Sequence, residues 1–425
     1  MRILHLAWEY PPVMYGGLGR HVHALANAQA ALGHQVVVIT QSPSSGEPGT
    51  DSGPVQVVRA GDDPARPAVP RDDLLDWVGA MEDSFIRAGT DLLRSWRPDV
   101  IHAHDWMVSR TAVELRESSG CPLVVTIHAT EAGRNNGWLT SELSTAIHAR
   151  EWWLANTSDA LITCSHTMRA EVSHLFGVAA DRVVPNGIDL ADWTASAGAI
   201  GRILRLYPSG DPLVVYTGRL EWEKGVQTLL EAVPALQRTS PGLQVLVAGR
   251  GSYAGELHDL ARRLGLGDRV LFLGWVSEED LRAIVATADI AVVPSLYEPF
   301  GLVALEAAAM GTPLIVARTG GLAEFADDGG LAATFTPGDP ASLADAIRHS
   351  CADSQAGEAR ARLARRALAD RYSWRDVALR TEAAYEDGRR WMATQDGEPA
   401  RVERRLDTLP SLAIPRGNVF TGEVR

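Results

Sequence analysis

Short, almost unbroken runs of Val, Ile and Leu alternate with helix-period segments along nearly the whole chain, and this pattern limits the fold more than any other feature. A first series of strands is expected at Arg2–Ala7, Gln35–Thr40, Val55–Arg59, Asp99–Ala103, Leu123–Ile127, Leu161–Cys164 and Arg182–Val184. A second follows at Leu213–Thr217, Gln244–Ala248, Val270–Leu273, Ile290–Pro294, Leu314–Ala317 and Ala332–Phe335. Runs without polar alternation are strands buried on both faces, which is the condition of a parallel sheet. Helical stretches such as Gly19–Leu32, Asp72–Ser95, Glu142–Ala155, Gly225–Arg238, Glu256–Leu264, Glu278–Ala288 and Leu302–Met310 lie between them. The alternation implies an α/β chain with two doubly wound parallel sheets. The expected division is a first domain over 1–190, a Gly/Ala/Ser-containing linker over 191–212 and a second domain over 213–373. Only helical segments follow, ending in one over 374–392 that is expected to cross back to the first domain. The Pro-containing, mixed-charge stretch over 393–425 is expected to be a poorly ordered tail.

Composition excludes several classes. With 425 residues, 46% hydrophobic and 22% charged, the chain is neither disordered nor a disulfide scaffold. A formal charge of −13 argues against gripping nucleic acid or anionic lipid as the main task, while leaving room for a local cationic cluster. The three cysteines have no metal-ligand spacing and fit a reducing compartment. The N-terminus MRILHLAWEYPP is too short and too interrupted for a signal-peptide core. The longest membrane-span candidate, Gly301 to Val316, carries Glu306 in its middle. The expectation is a cytoplasmic protein with no membrane span.

Parallel sheets bind ligands at the carboxyl ends of their strands, so the polar residues there are the candidates. Gly16 and Gly17 precede the first helix, where glycine lets backbone N–H groups approach an anion or simply makes a tight turn. The turn is neither GxGxxG nor GxxxxGK[ST], which disfavours a dehydrogenase or a P-loop enzyme. His102-Ala103-His104-Asp105-Trp106 ends the fourth strand, its two histidines offering either a metal-ligand pair or a packed, hydrogen-bonded one. His128 ends the next strand. Arg219 and Lys224 flank Glu221 and Glu223 after the first strand of the second series, as an anion clamp or as solvated pairs. Glu298 lies in the loop after Ile290–Pro294, and Glu306 lies inside the apolar helix that follows. Between them the N–H groups of Phe300, Gly301 and Leu302 suit phosphate oxygens. Among the twelve tryptophans, Trp106, Trp138, Trp152 and Trp153 all belong to the first domain and either fill its core or stack on sugar rings, as aromatic faces can do both.

Gly16-Gly17, Asp105, His128, Arg219…Lys224 and the Glu298/Glu306 pair, in this order, resemble the retaining glycosyltransferases of family 4, which have the GT-B fold of two Rossmann-like domains. The similarity runs from Met1 to about Arg390. WEYPPVMYGGLGRHVH, HAHDW, TIHATEAGR and YEPFGLVALEAAAMGTPL further resemble actinobacterial α-1,4-glucosyltransferases of methylglucose lipopolysaccharide and glycogen synthesis. By that resemblance Arg219 and Lys224 hold the donor diphosphate, Glu306 the ribose, and Glu298 the glucose. Phe300, Gly301 and Leu302 then lie near sugar and phosphate, His128 near the reacting centre, and Asp105 toward the acceptor. Met14 stands where glycogen and starch synthases carry a Lys, which weakens the phosphate role of the Gly16-Gly17 turn.

The resemblance implies transfer of α-glucose from UDP-glucose or ADP-glucose to the 4-hydroxyl of an α-1,4-glucan, with retention and no cofactor. The chain has no Asp-x-Asp pair to hold a cation on a diphosphate, so metal-independent chemistry is expected. The alternatives are a mannosyl- or other hexosyltransferase, or a maltose-1-phosphate-forming enzyme, on the same fold. A two-domain sugar-binding protein without turnover has no use for an Arg/Lys clamp. Arg219, Lys224, Glu298 and Glu306 belong to the second domain and Asp105 and His128 to the first, so closure on the donor is expected.

Overall fold

The computed structural model describes residues 1–43, 53–60, 73–207 and 212–394. The tail expected over 393–425 lies, from residue 395 on, outside the described residues. The chain divides into two compact units, one of Met1–Gly187 together with the segment from Trp374 onward, the other of Ile188–Ser373.

The first unit runs β1 (Arg2–Leu6), α1 (Gly17–Ala31), β2 (Gln35–Gln41), β3 (Gln56–Ala60), α2 (Leu74–Leu93), β4 (Val100–His104), α3 (Ser109–Ser119), β5 (Leu123–Ile127), α4 (Glu131–Arg134), α5 (Glu142–Thr157), β6 (Ala160–Thr163), α6 (His166–Phe176) and β7 (Arg182–Val183). Its seven strands pair in parallel in the order β3-β2-β1-β4-β5-β6-β7. The chain winds outward from β1 to β3 and then crosses to β4 on the other side of β1, so β1 and β4 bound the switch point where such sheets bind ligands. Strands β4, β5 and β6 are buried along their whole length, which is why they read as unbroken apolar runs apart from the polar side chains they carry.

The second unit runs α7 (Ala197–Leu206), β8 (Leu213–Thr217), α8 (Val226–Gln237), β9 (Gln244–Ala248), α9 (Ala254–Arg263), β10 (Val270–Gly274), α10 (Glu278–Thr287), β11 (Ile290–Val293), α11 (Leu302–Met310), β12 (Leu314–Ala317), α12 (Gly320–Asp327), β13 (Ala333–Phe335), α13 (Pro340–Ala352) and α14 (Ser354–Arg371). Its six parallel strands lie in the order β10-β9-β8-β11-β12-β13, with the switch point between β8 and β11. Leu213 and Val215 pack with Ala291 and Val293 on one face, while Val214 and Tyr216 pack with Ile290 and Val292 on the other. Both faces are therefore core.

The expected linker over 191–212 is corrected by α7, which is part of the second unit. Ser196 caps it by accepting from Ala199 N–H at 3.1 Å, Ala199 and Ile203 enter the core, and Ser196 Oγ donates to Glu279 on α10 at 2.9 Å. Small residues that read as a spacer are here the face that lets the helix lie close to its neighbour.

The last helix, α15 (Trp374–Thr394), belongs to the first unit. Val377, Ala378, Ala384 and Tyr385 join Ile3, Val22, Leu25, Val124 and Ile162 in one core, and Arg182 on β7 pairs with Asp387 at 2.5 Å. Tyr385 is fully buried, and its hydroxyl needs partners there.

Candidate active site

At the switch point of the second unit the loop after β8 is pressed onto the end of β11. Gly225 has φ 69°, and a Cβ there would lie 1.9 Å from the Pro294 carbonyl oxygen, so only glycine fits. Leu296 N–H donates to the Glu223 carbonyl at 2.8 Å, tying the two loops together. This clamp brings Lys224 to Glu298: the ammonium lies 2.9 Å from Glu298 Oε2, which also accepts from Ser295 Oγ at 3.0 Å. Both charged side chains are largely buried, at 18% and 14% exposure, so the pair is fixed rather than solvated. Arg219 stays more open and meets Glu223 at 3.3 Å, while the buried Tyr216 hydroxyl holds the Arg219 carbonyl at 2.6 Å.

Glu298 is positioned from its other side by α12. Gly320, at φ 49°, passes so close that a Cβ would lie 2.0 Å from the Glu298 carbonyl oxygen, and Gly321 N–H donates to that oxygen at 3.0 Å. Gly301, at φ 105°, is the N-cap of α11, so the chain turns at Phe300, Gly301 and Leu302 with the first N–H groups of the helix directed outward along its axis. Glu306 is the fifth residue of that helix and is 8% exposed. The structure thus gathers Arg219, Lys224, Glu298 and the start of α11 at one switch point. Ser295, which the sequence reading did not single out, is the residue that holds Glu298 beside Lys224.

The first unit presents a different chemistry. After β1 the Gly16 turn leads into α1, but Tyr15 and Gly16 N–H groups both donate to the buried Glu9 carboxylate, at 2.8 and 2.9 Å. The expected anion cradle is corrected at Gly16, whose N–H is taken by the chain's own carboxylate. Asp105, directly after β4, adopts φ 59° and ψ 177°, a region costly for any residue with a Cβ. Its Oδ1 accepts from His128 N–H at 2.7 Å. Burial pushes the Asp105 carboxyl up to about 6, against the Arg134 charge and the N–H groups of His128 and Ala129.

His128 belongs to a chain of buried side chains. Its Nε2 meets His104 Nδ1 at 3.1 Å, His104 Nε2 meets His5 Nδ1 at 3.1 Å, and His5 Nε2 meets Gln29 Oε1 at 2.7 Å. Gln29 Nε2 donates to Tyr385 Oη at 2.9 Å, which in turn meets His102 Nδ1 at 2.9 Å. His102 Nε2 lies 2.8 Å from Thr126 Oγ1. His21 stands edge-on to His128, its Nδ1 held by Asn186 Oδ1 at 2.7 Å. Burial holds His5 and His128 down to about 4 and His21, His102 and His104 well below the usual imidazole value. Nitrogens of His5, His102 and His104 lie within 4.8 Å of one another, as do those of His21, His104 and His128. A metal at either triple would displace hydrogen bonds just described. His5, His21 and Gln29 escaped the sequence reading. No local pattern marks His5, whose register opposite His102 in the β1–β4 pair emerges only from the strand order.

The chain as a whole has counterparts among known proteins. Residues 15–192 match the family model described as Glycosyltransferase Family 4, and residues 205–370 match that of Glycosyl transferases group 1. The chain is 45% identical over 398 residues to a glycogen synthase of Mycobacterium tuberculosis, covering 91% of this chain and 94% of that protein. It is 31% identical over 385 residues to the D-inositol 3-phosphate glycosyltransferase of Paenarthrobacter aurescens, covering 88% and 93%. Among solved structures, sucrose-phosphate synthase from Thermosynechococcus elongatus superposes with a TM-score of 0.80 at 25% identity over 92% of this chain and 99% of that one. Two parallel-sheet units of this topology, a clustered cation–carboxylate site at the switch point of the second, and identity maintained across nine-tenths of the length make this chain an enzyme of the family of glycosyltransferases whose halves are the family 4 and group 1 domains.

Proposed function

We propose that this glycosyltransferase moves an α-glucosyl unit, with retention of configuration, from UDP-glucose or ADP-glucose to the 4-hydroxyl of an α-1,4-glucan. The observation that carries the reading is the Lys224–Glu298 pair. One Glu298 oxygen is committed to Lys224 and Ser295, which leaves Oε1 for a sugar hydroxyl beside the point where Lys224 and Arg219 meet a diphosphate. Phe300, Gly301 and Leu302 N–H groups add donors at the α11 start, and Glu306 takes the ribose hydroxyls. Positive charge from Arg219, Lys224 and the helix start stabilises the leaving nucleoside diphosphate without a divalent metal or other cofactor. Asp105 is assigned to the acceptor, and His128 to the donor sugar. The glycogen synthase relative supports glucose as the transferred sugar and a glucan as the acceptor.

Incubation with radiolabelled UDP-glucose, ADP-glucose and GDP-mannose, with maltooligosaccharide and EDTA present, tests the reading. Labelled glucan with α-anomeric proton signals is expected from a glucose donor. A β-linked product, transfer from the mannose donor alone, or activity that returns only with added magnesium would refute the corresponding part. The inositol-phosphate relative favours a second reading, in which the acceptor is a small phosphorylated compound. Glucose 1-phosphate in a parallel incubation separates it, because a labelled disaccharide phosphate would then form in place of glucan.

A further inference from the structure

The hydrogen-bonded chain behind His128 has a direction, and a single amide sets it. Gln29 is the one member whose two ends differ irreversibly: its oxygen only accepts and its nitrogen only donates. Since Gln29 Nε2 donates to Tyr385, Oε1 faces His5, and His5 Nε2 must carry the proton. A neutral ring protonated at Nε2 offers its Nδ1 lone pair, so His104 Nε2 must donate to His5 Nδ1. The same step repeats: His104 Nδ1 is then an acceptor, and His128 Nε2 must donate to it. From this we infer that Gln29, His5 and His104 are positioning residues that lock His128 as the Nε2–H tautomer, so that its Nδ1 is held as a hydrogen-bond acceptor for the O–H of a sugar hydroxyl.

Two further features support the neutrality on which the argument depends. His5 and His104 are fully buried, and so are Gln29 and Tyr385, so no water competes for the ring nitrogens. The Arg134 charge near His128 disfavours a second proton on that ring. The branch beyond Tyr385 is consistent with the same polarity. Tyr385, accepting from Gln29, donates to His102 Nδ1, and His102 Nε2 donates to Thr126 Oγ1. No group in the network is then left with two donors or two acceptors face to face. The consequence is selectivity by polarity: at this position the enzyme accepts a sugar that donates through a free hydroxyl and rejects one whose oxygen is methylated.

The inference rests on the reading of His128 beside the donor sugar, and its test separates the two. Protein labelled with ring ¹⁵N-histidine is examined by two-bond proton–nitrogen correlation, the His128 signals being identified by their loss in His128→Gln. His5, His104 and His128 are expected to carry their protons on Nε2. Gln29→Glu, which keeps an oxygen facing His5 while the Tyr385 hydroxyl reverses, is expected to retain those tautomers and to lower kcat less than Gln29→Met does. Gln29→Met removes the acceptor, mixes the His128 tautomers and lowers kcat about tenfold with little change in KM for the nucleotide sugar. A residue that merely fills space would lower thermal stability in both variants without moving the tautomer. His128 protonated at Nδ1 in the parent overturns the inference even if Gln29→Met fails to fold, as does an unaltered kcat once the tautomers have mixed. A parent protein that shows the expected tautomers but transfers no sugar leaves the network standing and refutes the proposed activity instead.

Discussion

Asp105 holds a backbone conformation that costs about 1–3 kcal/mol for a non-glycine residue, and its carboxylate is what the conformation delivers. It receives the His128 and Ala129 N–H groups, so charge at Asp105 and the placement of His128 are coupled. With its carboxyl raised to about 6, Asp105 becomes fully ionised only above neutral pH, and a rate that depends on the carboxylate rises between pH 5 and 7. In Asp105→Asn, an acceptor for the N–H groups remains but the charge is gone. We expect kcat/KM for the acceptor to fall and its inflection near pH 6 to vanish; an inflection that persists in the variant would place the titrating group elsewhere. Lys224 tests the other site. Lys224→Met leaves Glu298 paired only to Ser295, and kcat at saturating donor should fall by roughly 10²-fold, as for a lost oxyanion donor. Stability should drop by about 1–3 kcal/mol in urea unfolding, because a largely buried carboxylate loses its counter-charge. A kcat near that of the parent would remove Lys224 from the leaving-group site.

At the scale of elements, the loops of the second switch point act as a single clamp through Gly225. Gly225→Ala would place a methyl against the Pro294 carbonyl and oppose a φ of 69°, so the β8 and β11 loops must separate. Loss of nucleoside diphosphate affinity in calorimetry is the expected result, with Gly311→Ala at the exposed end of α11 as control, since it shares the left-handed backbone, at φ 76°, but its Cβ meets nothing within 4 Å. Equal affinities in the two variants would show that the clamp does not shape the site. The strands were legible because burial on both faces removes polar alternation: Leu123–Ile127, Leu213–Thr217, Gln244–Ala248 and Leu314–Ala317 fall where the apolar runs place them. Helix α7 was not legible, because Ala, Gly and Ser serve equally in a spacer and in a close helix contact. The site residues at strand ends were legible one at a time, while their pairing was not. Lys224 and Glu298 meet across 74 residues, and His5 meets His104 across 99, through strand order that no local pattern carries.

For the whole molecule, the two units should respond differently to acid. His5, His21, His102, His104, His128 and His148 all lie in the first unit and are kept neutral by burial, so each binds a proton more readily when unfolded. Their stabilisation is complete above the unfolded value near 6.5 and is lost progressively as pH falls below it, at up to about 1.4 kcal/mol per pH unit for a ring that titrates alone. The raised carboxyls of Asp105, Glu82 and Glu151 work in the opposite sense but are fewer. Calorimetry at pH 7 and pH 5 should show the transition of the first unit shifted strongly downward and that of the second nearly unmoved; parallel shifts would refute the assignment. The return of α15 to the first unit also orders events during synthesis. The second unit is one uninterrupted stretch, Ile188–Ser373, but the first contains a fully buried tyrosine that the ribosome adds only after the whole of the second. At about 5–20 residues per second, on the order of 10–40 s separate the emergence of β7 from that of α15. During that interval the nascent sheet has its histidine network open at Gln29 and His102, and the half of the protein translated first is the half that finishes folding last.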